Sequence, residues 1–270
     1  MSATTNYPHG HGASILRAHG SRTIEDSAAY LASSLRPDMH ILDVGCGPGT
    51  ITADFASRVP QGRVVGVDQA SGVLDKARAH AAERGVSNVE FAQADIYNLA
   101  YPDASFDVVH AHQVLQYLED PMRALRELKR VAKPGGIVAV READYSGFAW
   151  YPTIEGLDEW RDLYHKVGRG NGGEPDAGRR VLSWALAAGF PRESITATTS
   201  TWCYSTDDTR SWWSGIWQER LLQSEFRTTA ISKGHATQEK VEELAKAWKE
   251  WSSAEDGWFV LLHGEILCRV

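Results

Sequence analysis

Gly45, Gly47 and Gly49 alternate directly after the apolar run Ile41-Leu42-Asp43-Val44, and residues 51–58 then follow helical spacing. A strand, tight turn and helix start of this kind has a chemical use. Glycine supplies the positive φ that a sharp turn needs, and a small polar ligand can then lie over Gly45 to Gly49 beside the free N–H groups of the helix start. Carboxylates follow the next two apolar runs: Asp68 ends 63–68 with Gln69 behind it, and Asp95 follows 89–92 with Ile96 behind it. In nucleoside-binding α/β folds an acid at the end of the second strand accepts both ribose hydroxyls, because its two oxygens match their spacing. The fourth run, 105–110, ends on His110 with His112 and Gln113 just beyond, and the fifth, 137–142, ends on Glu142 with Tyr145 just beyond. Together with Tyr7 and His9, the side chains His110, His112, Glu142 and Tyr145 are candidates to take a proton from a substrate.

These residues act together only if the elements around them converge. Ile24, Ala28, Leu31 and Leu35 predict a helix from Thr23 that Pro37 stops, residues 71–84 predict another, and Pro121 opens a third that ends at Lys133-Pro134-Gly135-Gly136. Strand and helix alternate five times over about 100 residues, which argues an α/β fold with a doubly wound parallel sheet. Such a sheet binds ligands beyond the carboxyl ends of its strands where the strand order reverses, so Gly45, Asp68, Asp95 and His110 are expected to meet. From 145 to 178 the composition shifts to aromatics and glycine, and 168–173 reads as a loop, so this segment is expected to be a lid. Residues 179–188 predict a helix, 195–204 a strand, 206–253 two helices and 259–267 a closing strand. The resulting division is an N-terminal arm and helix closing the site (1–36), a ligand-binding core (37–145), and lid insertions, substrate-binding helices and the last two strands of the sheet (146–270).

The net charge of −7 excludes the basic face that a nucleic-acid partner requires, and no apolar run is long enough to span a membrane. Cys46, Cys203 and Cys268 show no C-x-x-C spacing, which fits reduced thiols and a cytoplasmic setting. His9 and His11 have no third ligand cluster beside them, so no metal is expected. All ten tryptophans lie beyond residue 149. Trp248 and Trp251 have the spacing of a packed helix face. Trp150, Trp202, Trp212, Trp213 and Trp217, with Tyr7, His9, Tyr145 and the loop residue Arg169, are the candidates for a pocket holding a small aromatic acceptor.

The sequence Asp43-x-Gly45-x-Gly47-x-Gly49 resembles the first motif of class I S-adenosylmethionine (SAM)-dependent methyltransferases, and differs from the G-x-G-x-x-G of dinucleotide folds. A sulfonium cofactor has no pyrophosphate, so its carboxylate-and-sugar end can occupy such a loop. The resemblance extends over about residues 35–145. It includes Asp95-Ile96, where the family sets an acid on the adenine amino group and an apolar side chain on the ring, and 128–136, which looks like the family's structural post-motif turn. It implies a Rossmann-like seven-stranded sheet, SAM as cofactor, and Asp43, Gly45, Cys46, Gly47, Gly49, Asp68, Gln69, Asp95, Ile96, His110 and Gln113 as its surroundings. His110-Ala111-His112-Gln113 stands where DNA amino-methyltransferases carry D/N-P-P-Y/F, which argues against a nucleic-acid amine as acceptor. Tyr7-x-His9-Gly10-His11, 172–180 and His263-Gly264-Glu265 resemble signatures of UbiE-like C-methyltransferases and their relatives in secondary metabolism. Some of those relatives methylate indole carbon 3 in tryptophan-derived compounds, often as homodimers. Expected here, therefore, are methylation of a small aromatic acceptor at carbon and a possible homodimer, with O- or N-methylation and quinone-ring methylation as alternatives.

Overall fold

The five apolar runs become strands β1 (His40–Val44), β2 (Arg63–Asp68), β3 (Val89–Gln93), β4 (Phe106–His112) and β5 (Ala132–Ala143) of a computed structural model that describes residues 18–270. They pair in parallel in the order β3-β2-β1-β4-β5, so the order reverses between β1 and β4 and a crevice opens at their carboxyl ends. Strand β8 (Trp258–Arg269) lies antiparallel on β5, and β7 (Ile195–Tyr204) antiparallel on β8. Among the described residues the sheet has eight strands where seven are expected. The extra strand is β6 (Ala149–Tyr151), three residues within the aromatic segment that pair with Trp258, Phe259 and Val260 ahead of the β5 contact.

Each face of the sheet carries its own core. Ile24, Leu31, Ile41, Phe55, Val64 and Val108 pack on one side, and Leu42, Val65, Val109, Leu125, Leu128 and Val138 on the other. This alternation along each strand is the period of two that buries both faces of a parallel sheet. On the first side, α1 (Ile24–Ser27) and α2 (Ala29–Ala32) replace the single helix expected from Thr23, because the backbone at Ala28 leaves the helical region (φ −140°, ψ 20°). Neither glycine nor proline marks that break. The Ile24 N–H donates instead to the Asp54 carboxylate at 3.0 Å, fixing the first turn to α3 (Thr50–Arg58). Helices α4 (Ser71–Glu83) and α5 (Pro121–Val131) fall where the sequence puts them, with Asp120 accepting the Arg123 N–H as a cap.

Two corrections apply to the aromatic half. Gly168-Arg169-Gly170 is not loop but the last turn of α6 (Glu155–Gly170), because Trp160, Leu163, Tyr164 and Val167 anchor that helix and carry Gly168 against Pro175. After α7 (Val181–Ala187), three helices follow where two are expected: α8 (Asp207–Gln223), α9 (Glu225–Ser232) and α10 (Gln238–Ser253). The Ser224 side chain accepts the Phe226 N–H and starts the additional helix. Helices α6, α8 and α10 enclose a third core of rings: Trp160 meets Trp217 edge-on at 4.5 Å and Trp248 at 4.8 Å, and Trp217 stacks on Trp248 at 5.9 Å. Trp160→Ala should therefore lower stability by about 3–5 kcal/mol, read from the urea midpoint; a loss below about 1 kcal/mol would show that the rings are not packed as a unit.

Candidate functional site

Gly45, Gly47 and Gly49 take φ of 72°, 52° and 78°. At Gly45 the requirement is double, since an added Cβ would also lie 2.4 Å from Val114 Cγ2. Gly45 and Cys46 donate their N–H groups to the Val67 carbonyl at 2.7 and 3.0 Å, which ties the loop to the end of β2. The Gly47 N–H donates to Asp68 Oδ2 and the Ala70 N–H to Asp68 Oδ1, both at 2.9 Å, so this carboxylate is fixed at the lip of the loop. A cavity of about 280 Å³ opens there. Gly45, Cys46, Gly47, Asp68 and Gln69 line one part of it, and Asp95, Ile96, His112 and Gln113 another. The Asp95 Oδ1 accepts the Tyr97 N–H at 2.9 Å, which sets that carboxylate in its turn. This is a nucleoside-shaped set of groups: an acid for a ribose, an acid and an apolar side chain for a base, and a side-chain-free loop that leaves room for a charged tail.

Several expected contacts fall elsewhere. Gly49 packs against Ala77 beneath the loop and does not reach the cavity. Asp43 reaches the wall with both oxygens engaged, accepting from Thr52 Oγ1 at 2.5 Å and meeting His110 Nδ1 at 2.8 Å. His110 itself is fully buried against the edge of the Phe55 ring and lines neither of the cavities described here, so it supports Asp43 instead of touching a ligand. Glu142 is also fully buried. Its carboxylate accepts the N–H groups of Val114, Leu115 and Gln116 at 3.0, 2.8 and 3.3 Å, capping the single turn Leu115–Tyr117, and so is occupied as a structural anchor and not free to act as a base.

A second cavity, of about 460 Å³, adjoins the first, and His19, Arg22, Gln113 and Tyr117 line both. Of the residues expected to hold a substrate, Tyr145, Trp202 and Trp213 line this second cavity. Trp150 does not; it stacks on Phe259 at 5.6 Å with Arg161 over its other side. Trp217 is fully buried in the ring core, and Arg169 turns outward to Glu174 and Asp176 at 3.1 and 2.9 Å. Tyr7 and His9 lie outside the described residues. Trp212, expected on such a wall, also lines the second cavity, and so do Tyr117, Tyr204 and Arg220, which the sequence does not mark. Tyr117 lies far along the chain from Tyr204 and Arg220, so no spacing could signal that they meet, although four aromatic residues within 202–213 hint at a ring-lined wall.

The wall between the cavities is a directed chain of hydrogen bonds. Arg22 donates to Gln113 Oε1, the Gln113 amide nitrogen lies 2.9 Å from His263 Nε2, and His263 Nδ1 faces the Leu261 carbonyl at 3.2 Å. His263 is therefore the Nδ1–H tautomer accepting from Gln113. His112 stands beside this chain on the cofactor-side cavity with neither ring nitrogen bonded to another described residue. Burial, then the charges of Arg22 and Arg141, hold it well below the ordinary histidine range, which leaves it neutral with a nitrogen lone pair available. Among the described residues no three His, Cys, Asp or Glu side chains are grouped to hold a metal ion.

Comparison with known proteins converges on one family. Residues 35–212 match the family model for a methyltransferase domain. An uncharacterized methyltransferase of Schizosaccharomyces pombe is 36% identical, covering 97% of this chain and 96% of its own. A probable methyltransferase of Aspergillus luteorubrus is 31% identical over 98% of this chain and 97% of its own. The ubiquinone/menaquinone biosynthesis C-methyltransferase UbiE of Vibrio parahaemolyticus is 37% identical, over 49% of each chain. Among solved structures, the YcgJ protein of Bacillus subtilis superposes with a TM-score of 0.56 at 18% identity, over 90% of this chain and 97% of that one.

The anchoring role of Glu142 has a pH signature. Burial raises its carboxyl from the ordinary 4.5 to about 7, against the three N–H groups that favour its ionised form. Between those values the native state holds a proton that the unfolded chain has released, so this group's contribution to stability is full below about 4.5 and is lost as the pH rises through about 7. Glu142→Gln should flatten that fall in urea midpoints between about pH 5 and pH 8; a variant as pH-dependent as the wild type would contradict the assignment.

Proposed function

The chain belongs to the SAM-dependent methyltransferases, and from that premise we propose that it moves a methyl group to a carbon of a small aromatic acceptor, with carbon 3 of a tryptophan-derived indole as the specific candidate. The observation that carries this reading is the shared wall at Gln113, which sets a ring-lined cavity directly beside the nucleoside-shaped one. The C-methyltransferase likeness over half the chain supports carbon as the methylated atom.

SAM, when bound, supplies an electrophilic methyl group. Asp68 takes the ribose hydroxyls, Asp95 and Ile96 the adenine, and Gly45, Cys46 and Gly47 the amino-acid end, with Gln69 and Gln113 closing the sides. The glycine cradle fits this role, since a Cβ at Gly47 would enter open space bounded only by His19 at 3.9 Å. In-line displacement is accelerated chiefly by alignment and exclusion of water. Trp202, Tyr204, Trp213 and Tyr145 hold a flat acceptor, and His19, Arg22 and Asp26 of the 1–36 segment line the same cavity. The core spans 37–145, and 146–270 supplies the lid and the acceptor-binding surface. When indole attacks through carbon 3, its nitrogen loses a proton, and neutral His112 accepts it. Homodimer assembly, a cytoplasmic setting and a place in secondary metabolism belong to the same reading.

Three measurements test it. Calorimetry should find S-adenosylhomocysteine (SAH) bound by the wild type and bound about tenfold or more weakly by Asp68→Asn, which loses charge-assisted bonds; equal affinity would remove Asp68 from the site. Transfer of a labelled methyl group across indoles, phenols and aromatic amines, with NMR location of the new methyl, should favour indoles at carbon 3; label on oxygen or nitrogen alone would overturn carbon as the target. His112→Ala should lower kcat by about 10²–10⁴ with SAH affinity retained; unchanged turnover would assign the proton elsewhere.

A further inference from the structure

Among the described residues three arginines are buried: Arg141, Arg210 and Arg220. Two have a carboxylate, Arg141 with Glu265 at 3.2 Å and Arg210 with Asp207 at 2.5 Å. Arg220 has none. It is 5% exposed and its Nε has no hydrogen-bond partner; no ion pair or side-chain hydrogen bond joins its guanidinium to another described residue. Its contact is the Trp217 ring, 4.8 Å below the guanidinium, which is part of the rigid core between α6, α8 and α10. A buried cation without a counter-charge is costly, and a cation–π contact offsets only a fraction of that cost.

Arg220 lines the aromatic cavity and not the cofactor-side cavity. Around it stand Tyr117, Tyr145 and Tyr204; burial raises each of their hydroxyls, and the charge of Arg220 pulls against that rise in all three. Those hydroxyls are therefore neutral donors and offer the guanidinium no anion. Among the described residues the one acidic side chain on the cavity wall is Asp26, whose Oδ1 is already accepting from the Thr23 N–H at 3.0 Å and Ser27 Oγ at 2.5 Å. Arg22 adds a second positive charge to the wall. In a chain of net charge −7, this cavity is locally positive and lined by donors.

We propose that the acceptor is an aromatic carboxylic acid, and that Arg220 is its ion-pair partner. The inference rests on the aromatic-acceptor reading and narrows it. A planar guanidinium presents paired N–H groups that match a carboxylate in bidentate fashion, so it fixes the orientation of the acceptor as well as its affinity. With its acid end held at Arg220, the ring extends within the aromatic cavity toward the Gln113 wall. The apo protein carries the uncompensated charge, and the substrate neutralises it.

The test is calorimetric titration of the SAH-saturated protein with two matched pairs: indole-3-acetate against indole-3-acetamide, and phenylacetate against phenylacetamide. The wild type should bind each acid about tenfold or more tightly than its amide. Arg220→Gln should bring each pair to within about twofold while SAH affinity stays unchanged, and Arg220→Lys should keep a reduced preference for the acids, since it retains the charge without the fork. Should the glutamine variant not fold, the lysine variant and the wild-type comparison decide. Acids and amides bound equally by the wild type, or a preference that survives Arg220→Gln, would overturn this inference and leave the aromatic acceptor standing. Binding of neither member of either pair would overturn both.

Discussion

Two N–H groups on one carbonyl, Gly45 and Cys46 on Val67, hold the glycine loop to the end of the second strand. Everything on the cofactor side depends on that junction. It sets the loop at the height where the Gly47 N–H meets Asp68, and so brings the loop and that carboxylate together as one unit. From below, Thr52 and His110 hold Asp43, so the strand feeding the loop cannot rotate. The loop is shaped before any ligand arrives, which is what electrostatic and positional preorganisation requires.

How far a side chain lies along its strand, relative to where the neighbouring strand ends, decides whether it supports the site or enters it. His110 and His112 are two residues apart and on the same face of β4. His110 is in register with Asp43 and is covered by the first strand, whereas Ala111 pairs with Val44, the last residue of that strand. His112 is one step beyond and opens on the cavity. A sequence shows both histidines at the end of an apolar run but does not show where the neighbour stops. The place of the acids at 68 and 95 on the cavity was legible because one ends its strand and the other stands two residues past its strand, and the glycine loop because three alternating glycines serve little else. Glu142 misleads for the opposite reason: it ends a strand, yet the turn 115–117 folds back and occupies its oxygens.

The ring-rich half was legible in composition and not in placement. Helical spacing marks Trp248 and Trp251 as packed, and they are; it gives no way to separate Trp213, which reaches the cavity, from Trp217 one helical turn later, which is sealed in the core. The two meet edge-on at 6.0 Å, and Trp213 stacks on Tyr204 at 4.8 Å, so the inner wall of the cavity is the outer layer of the core. A cavity walled this way is stiff, because moving a wall residue would disturb the rings that pack this half of the molecule.

Between these halves, Gln113 is held in the left-handed region at φ 53°, unusual for a residue with a side chain. Its N–H donates to the Arg141 carbonyl at 2.8 Å, and its amide is fixed at both ends by Arg22 and His263. Arg22 has only donors, so Gln113 must present its oxygen there and its NH₂ to His263, which fixes the histidine tautomer in turn. The donors of Arg22 thus set the polarity of the whole partition through one residue, Gln113. A partition that could flip its amide would present donor and acceptor alternately to the meeting point of the two cavities; this one presents a single arrangement, with neutral His112 beside it as the group left free to bond.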